Sequence, residues 1–211
     1  MRIVLVEDES LTLASLSLAL NASGIEVAAS VNTAAAAVNA IRDFDPEVVV
    51  LDIDLGTGPT GLDLADVLSR QKPLLGILLL TSATDPRLVR SSLPEVPSNA
   101  VYLVKSAVTD ITVLTDAINQ AYDQAQLGPL TTTKVSQKVD DLSLTDIQME
   151  TLRLVAQGHS NSEIARQRFV AEKTVEQTIA KIAQSLGIKQ TSSANQRVHI
   201  ARMYFRMRGQ G

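Results

Sequence analysis

The sequence contains no cysteine, which excludes a disulfide framework, thiol catalysis and any thiolate metal site. It also lacks an apolar run long enough for a membrane. The longest, Leu74 to Leu80, falls far short of the roughly 18 residues that a spanning helix needs. No secretory leader is expected, because Met1-Arg2-Ile3-Val4-Leu5-Val6-Glu7-Asp8 turns acidic too soon. No internal repeat is visible. These absences predict a cytoplasmic protein that does not contact membranes.

What is present is an ordinary globular composition: 211 residues, 45% of them hydrophobic. The length suits one large or two small domains. The net charge of -4 is unevenly spread. Residues 1–123 hold seven Lys and Arg against sixteen Asp and Glu, whereas residues 124–211 hold twelve against seven. An acidic first part and a basic second part predict two domains with different partners, the second suited to a polyanion.

Val48-Val49-Val50-Leu51 reads as a strand buried on both faces. It ends abruptly in Asp52. A charge there is costly unless it lies at a solvated sheet edge, and the carboxyl ends of parallel strands form the edge where ligands bind. Ile3 to Val6, Ile25 to Val31, Leu74 to Leu80 and Val101 to Val104 read as four further strands. Helical periodicity runs from Leu11 to Leu20, from Thr33 to Ile41 and from Leu62 to Leu68. Thr109-Asp110 caps a last helix with Ile111, Leu114, Ile118 and Ala121 on one face. Asp85-Pro86 starts a helix that must be short, because Pro94 and Pro97 cannot sit in its interior. Strands alternating with helices predict an α/β fold: a five-stranded parallel sheet, (βα)5 and flavodoxin-like. It covers residues 1–126. Residues 127–141, with Gly128-Pro129, read as a linker.

Residues 142–211 read as a small all-α, four-helix domain. Thr145-Asp146-Ile147-Gln148 and Ser160-Asn161-Ser162-Glu163 fit capping boxes. Gly158 stops the first helix. Val175, Ile179, Ile182 and Leu186 line one face of a third helix, and Thr191 to Met207 can form a fourth. Short helices joined by a tight turn are compatible with a helix-turn-helix.

In that fold Glu7 and Asp8 end the first strand, Asp52 the third, Thr81 the fourth and Lys105 the fifth. Crowded carboxylates stay ionised only with a cation among them, and hard oxygen ligands favour Mg2+. Lys105 and Thr81 beside them could hold a phosphoryl group, which makes Asp52 a candidate nucleophile.

With Val6-Glu7-Asp8, Leu51-Asp52, Leu80-Thr81 and Tyr102-Leu103-Val104-Lys105 in place, the first domain resembles the receiver of two-component response regulators. The second resembles the helix-turn-helix domain of the NarL/LuxR (FixJ) class. It does so through Leu154-Val155-Ala156-Gln157-Gly158, Asn161-Ser162-Glu163-Ile164-Ala165, Lys173-Thr174-Val175-Glu176 and Leu186-Gly187-Ile188. The resemblance implies a transcriptional regulator that accepts a phosphoryl group on Asp52 from a sensor histidine kinase. Glu7, Asp8 and Asp52 would form the acidic site, Mg2+ being bound by Asp8, Asp52 and the backbone carbonyl of Asp54. Thr81, Tyr102 and Lys105 would form the switch. The chain departs from the family at Gly56, where Pro is usual, and in a long segment between Thr81 and Lys105.

At about 100° per residue, the face opposite Val175 presents Lys173, Gln177, Ala180 and Gln184, with Glu176 and Lys181 at its margins. Together with Thr174 these are the candidate contacts to double-stranded DNA. Ala171 stands where a capping Ser is common. The resemblance also implies that Val198, Ile200 and Ala201 of the last helix would pair with a second copy in a homodimer formed on phosphorylation. One alternative is a regulator acting through protein contacts without phosphorylation. Another is a haloacid-dehalogenase-like phosphatase, suggested by Asp52-Ile53-Asp54 but with the motif after the wrong strand.

Overall fold

The computed structural model of the chain describes residues 1–90, 93–127, 144–188 and 195–209. All of the expected linker beyond Leu127 lies outside them. The chain divides into two compact units, Met1–Thr81 with Leu93–Gln137, and Ser82–Ser92 with Lys138–Gly211.

The first unit is built on five strands, β1 (Arg2–Val6), β2 (Glu26–Val31), β3 (Val48–Leu51), β4 (Gly76–Thr81) and β5 (Ala100–Val104). They pair in parallel in the order β2-β1-β3-β4-β5. All four residues of β3 and all six of β4 are buried, which explains their unbroken apolar sequences: a central parallel strand is covered on both faces. Helices α1 (Ser10–Ala22), α2 (Ala34–Phe44), α3 (Gly61–Gln71) and α4 (Ile111–Leu127) supply the cover. Thr33 caps α2 by accepting from the Ala36 N–H, and Asp110 accepts from the Thr112 N–H at the start of α4. One core gathers Leu20, Val50, Leu78, Leu103, Leu114 and Ile118.

The helix expected after Asp85-Pro86 is a single 3-10 turn, Pro86–Leu88, capped by the Asp85 side chain. It belongs to the second unit.

The second unit contains α5 (Asp146–Ala156), α6 (Asn161–Gln167), α7 (Glu172–Ser185) and α8 (Gln196–Met207). Both predicted capping boxes form, at Thr145 and Ser160, and Gly158 takes a left-handed φ of 88° after α5. Ala171 begins α7 without a side-chain cap. The last helix starts at Gln196, capped by Asn195, later than the expected Thr191; residues 191–194 lie outside the described part. Val175, Ile179 and Ile182 are buried as predicted, and Leu186 is half-buried against the same core. Leu88 is a fully buried member of that core.

Gly61 fixes the loop that follows β3. Its N–H donates to the Ile53 carbonyl at 3.0 Å. A Cβ at this position would lie 1.9 Å from the Asp52 carbonyl oxygen. Helix propensity alone favours Gly61→Ala, but the clash reverses the sign. We expect Gly61→Ala to destabilise the protein by about 1–3 kcal/mol in urea unfolding; an unchanged or raised midpoint would show that the loop yields freely.

Candidate functional site

Strand register brings the carboxylates together. Val6 pairs with Leu51, so the next residues on β1 and β3, Glu7 and Asp52, emerge side by side. The Asp52 N–H donates to Val6 O at 2.9 Å and locks that pairing. Strand order reverses between β1 and β3, the position in an open α/β sheet where a crevice forms. Glu7 and Asp52 are 2% and 6% exposed, whereas Asp8 faces solvent. Carboxylate oxygens of Glu7, Asp8 and Asp52 lie within 4.8 Å of one another.

Lys105 follows β5 and reaches across to this cluster. Its Nζ donates to Glu7 Oε2 at 2.5 Å and to Asp52 Oδ2 at 2.8 Å. Burial works against its charge, but the two carboxylates outweigh burial and its pKa is raised. Burial also raises the pKa of Glu7, with Asp52 adding to the effect and Lys105 opposing it. Burial and then the Asp52 and Asp54 carboxylates raise that of Asp8. One ammonium therefore leaves a residual negative charge, which favours a further cation. The donors are all hard oxygens, and exposed Asp8 leaves room for water ligands. That set fits Mg2+ and does not fit soft metals.

Asp54 lies on the loop after β3, and its N–H donates to Asp52 Oδ1 at 3.2 Å. Gly56 has a φ of 74°, and a Cβ there would lie 3.6 Å from Asp8 Oδ2. Proline, confined to φ near −65°, cannot adopt this conformation. The loop shape thus accounts for the departure at Gly56. Thr81 ends β4 beside Val104 and is 1% exposed. Tyr102, paired with Leu79, is already buried at 8% exposure.

In the second unit, Lys173, Thr174, Glu176, Gln177, Ala180, Lys181 and Gln184 are all exposed on α7. One sequence expectation is corrected. Ile200 is 0% exposed inside its own helical core, because α8 turns that residue inward with Tyr204 and Met207, so it is not a surface contact. Val198 is exposed and Ala201 half-buried.

Two features escaped the sequence reading. The close approach of Gly61 to the Asp52 backbone left no signal beyond a glycine at a helix start. The burial of Leu88 among α5 and α8 left only the unusual length of its segment.

Residues 3–106 match the response regulator receiver domain family, and residues 142–204 match the luxR family of bacterial regulatory proteins. The chain belongs to the response regulators that join a receiver to a LuxR-type helix-turn-helix domain. It is 24% identical over 195 residues to the DNA-binding transcriptional activator EvgA of Escherichia coli K12, covering 90% of this chain and 93% of EvgA. It is 28% identical over 206 residues to the oxygen regulatory protein NreC of Staphylococcus epidermidis, covering 90% and 92%. The fold is similar to that of the two-component response regulator RcsB in its DNA complex, with a TM-score of 0.59, 20% identity and 98% of each chain covered.

The pKa directions predict a pH signature without metal. Raised carboxyl values mean that the folded state binds protons more tightly than the unfolded chain. Stability from Glu7 is therefore greatest near or below the ordinary value of 4.5 and is lost as pH rises through its raised value. In EDTA, wild type should gain stability relative to Glu7→Gln as pH falls through that window. Urea unfolding of both proteins measures the difference; a gap that stays constant or moves the other way would overturn the assignment.

Proposed function

We propose that the protein is a phosphorylation-dependent, DNA-binding transcriptional regulator of a two-component system, and that Asp52 is its phosphoacceptor. The observation that carries this reading is the bridge from Lys105 to Glu7 and Asp52, at 2.5 and 2.8 Å, on the carboxyl edge of the sheet. A sensor histidine kinase is the donor. An Asp52 carboxylate oxygen attacks phosphorus, a new O–P bond forms, the P–N bond of the phosphohistidine breaks, and the electron pair returns to the imidazole. Lys105 neutralises the transferred oxygens, and Thr81 donates a hydrogen bond to one of them. Magnesium, held by Asp8, Asp52 and the Asp54 carbonyl, supplies charge neutralisation when bound. Glu7 orients Lys105 and adds to the negative field. Tyr102, on the strand beside β4, turns further inward when Thr81 moves to the phosphoryl group.

The output is read by α7. Gln177 and Gln184 suit adenine, Ala180 a thymine methyl and Glu176 the cytosine amino group. Lys173 and Lys181 suit phosphates, with Thr174 between them at the helix start. Phosphorylation shifts an existing equilibrium towards a homodimer that binds two half-sites about one helical turn apart. Exposed Val198 and half-buried Ala201 on α8 are the candidate dimer contacts. Among the described residues no helix is long and apolar enough to cross a membrane, and we place the protein in the cytoplasm. We infer no enzymatic turnover; steady release of phosphate from a small phosphate ester would revive the phosphatase reading.

Asp52→Asn should abolish acid-labile phosphorylation by a phosphodonor while preserving the circular dichroism spectrum; a variant that still labels on Asp would refute the assignment. Lys173→Ala should weaken duplex binding and reduce the salt slope by about 1. Equal affinity and slope in a salt titration would remove Lys173 from the interface.

A further inference from the structure

The segment Ser82–Ser92 belongs to the helical unit, although it lies between β4 and β5 in sequence. Its attachment is specific. The Leu88 side chain is 0% exposed in a core with Met149, Tyr204 and Met207. Tyr204 Oη donates to the Leu88 carbonyl at 3.1 Å, a buried hydrogen bond. The Thr84 N–H donates to Met207 O at 2.8 Å, at the end of α8. Arg87, clamped by both oxygens of Asp85, donates at 3.0 Å to the Leu144 carbonyl and at 2.9 Å to Asp146, where α5 begins. A loop of ordinary surface character would not contribute a fully buried leucine to another unit's core. The segment holds α8 by its end and α5 by its start.

Chain connectivity gives this attachment a consequence. Ser82 is bonded directly to Thr81, the residue that ends β4. We propose that Ser82–Arg90 is a strap through which a phosphoryl group on Asp52 acts on the output unit, with the Thr81–Ser82 peptide bond as the point of transmission. This rests on the reading of Asp52 and Thr81 given above. Movement of Thr81 towards a phosphoryl group pulls the strap. Seating of Leu88 between α5 and α8 pulls the other way. The two are linked equilibria, so each biases the other by the same factor. Loosening the strap in the helical unit must therefore change the affinity of the Asp52 site for a phosphoryl mimic, although no residue of that site is altered.

The test uses the full chain with Mg2+ and beryllofluoride as the probe. Amide hydrogen exchange at Thr84 and Leu88, read with and without the probe, should change by tenfold or more, and Asp52→Asn should abolish that change. Tyr204→Phe removes only the hydroxyl that binds the Leu88 carbonyl and keeps the ring in the core. It should tighten the beryllofluoride midpoint by about three- to tenfold. Leu88→Ala should shift it the same way and further, and Tyr204→Phe keeps the test open if that variant does not fold. The strap is overturned if Thr81 and Tyr102 respond to the probe while Thr84 and Leu88 do not. It is also overturned if both variants lower the melting temperature but leave the midpoint unchanged, the result for a merely structural contact. A wild type in which nothing responds would overturn the phosphoacceptor reading itself, and the strap with it.

Discussion

Two buried carboxylates and a solvent-facing one stand against a single ammonium at the edge of the sheet. Glu7 and Asp52 are held there by backbone pairing, and Lys105 bridges them. Burial makes each charge expensive, and proximity makes the carboxylates more so, which is why the pKa values of Glu7 and Asp8 are raised. A site in this condition is incomplete. It gains from any positive charge that enters, which is the condition the proposed phosphoryl transfer to Asp52 requires. Much of the receiver serves to keep these groups from relaxing apart: the register of β1 and β3, the loop closed by Gly61, and the left-handed Gly56 beside Asp8.

The same sheet edge carries the residues of the proposed switch. Thr81 and Lys105 come from adjacent strands, and Tyr102 lies two residues before Val104 on the strand paired with Thr81. In the helical unit the requirement is different. Helix α7 buries one face and leaves a polar face exposed, which is what the proposed groove recognition requires. Helix α8 is more constrained: Ile200, Tyr204 and Met207 are committed to the core, and Tyr204 also holds the Leu88 carbonyl.

Much of this was legible before any coordinates. Val48 to Leu51 has no polar residue to place on a solvated face, so it had to be a central strand, and Asp52 had to mark its end. The helical capping boxes at Thr145 and Ser160 were equally readable, since each depends on residues only three apart. Local chemistry writes local structure. Ile200 shows the complementary limit: a family resemblance suggested it as a dimer contact, but resemblance does not say what covers a helix face, and the helical core takes this residue.

The amino-acid order determined the strands, the caps, the meeting of Glu7, Asp8, Asp52 and Lys105, and the division into an acidic and a basic part. Those follow from periodicity and from the rule that parallel strands present their carboxyl ends together. Tertiary packing alone decided that Leu88 is buried in the helical core, and that Gly61 abuts the Asp52 backbone. Both depend on contacts between residues far apart in sequence, where the free energy of burial has no local signature to read.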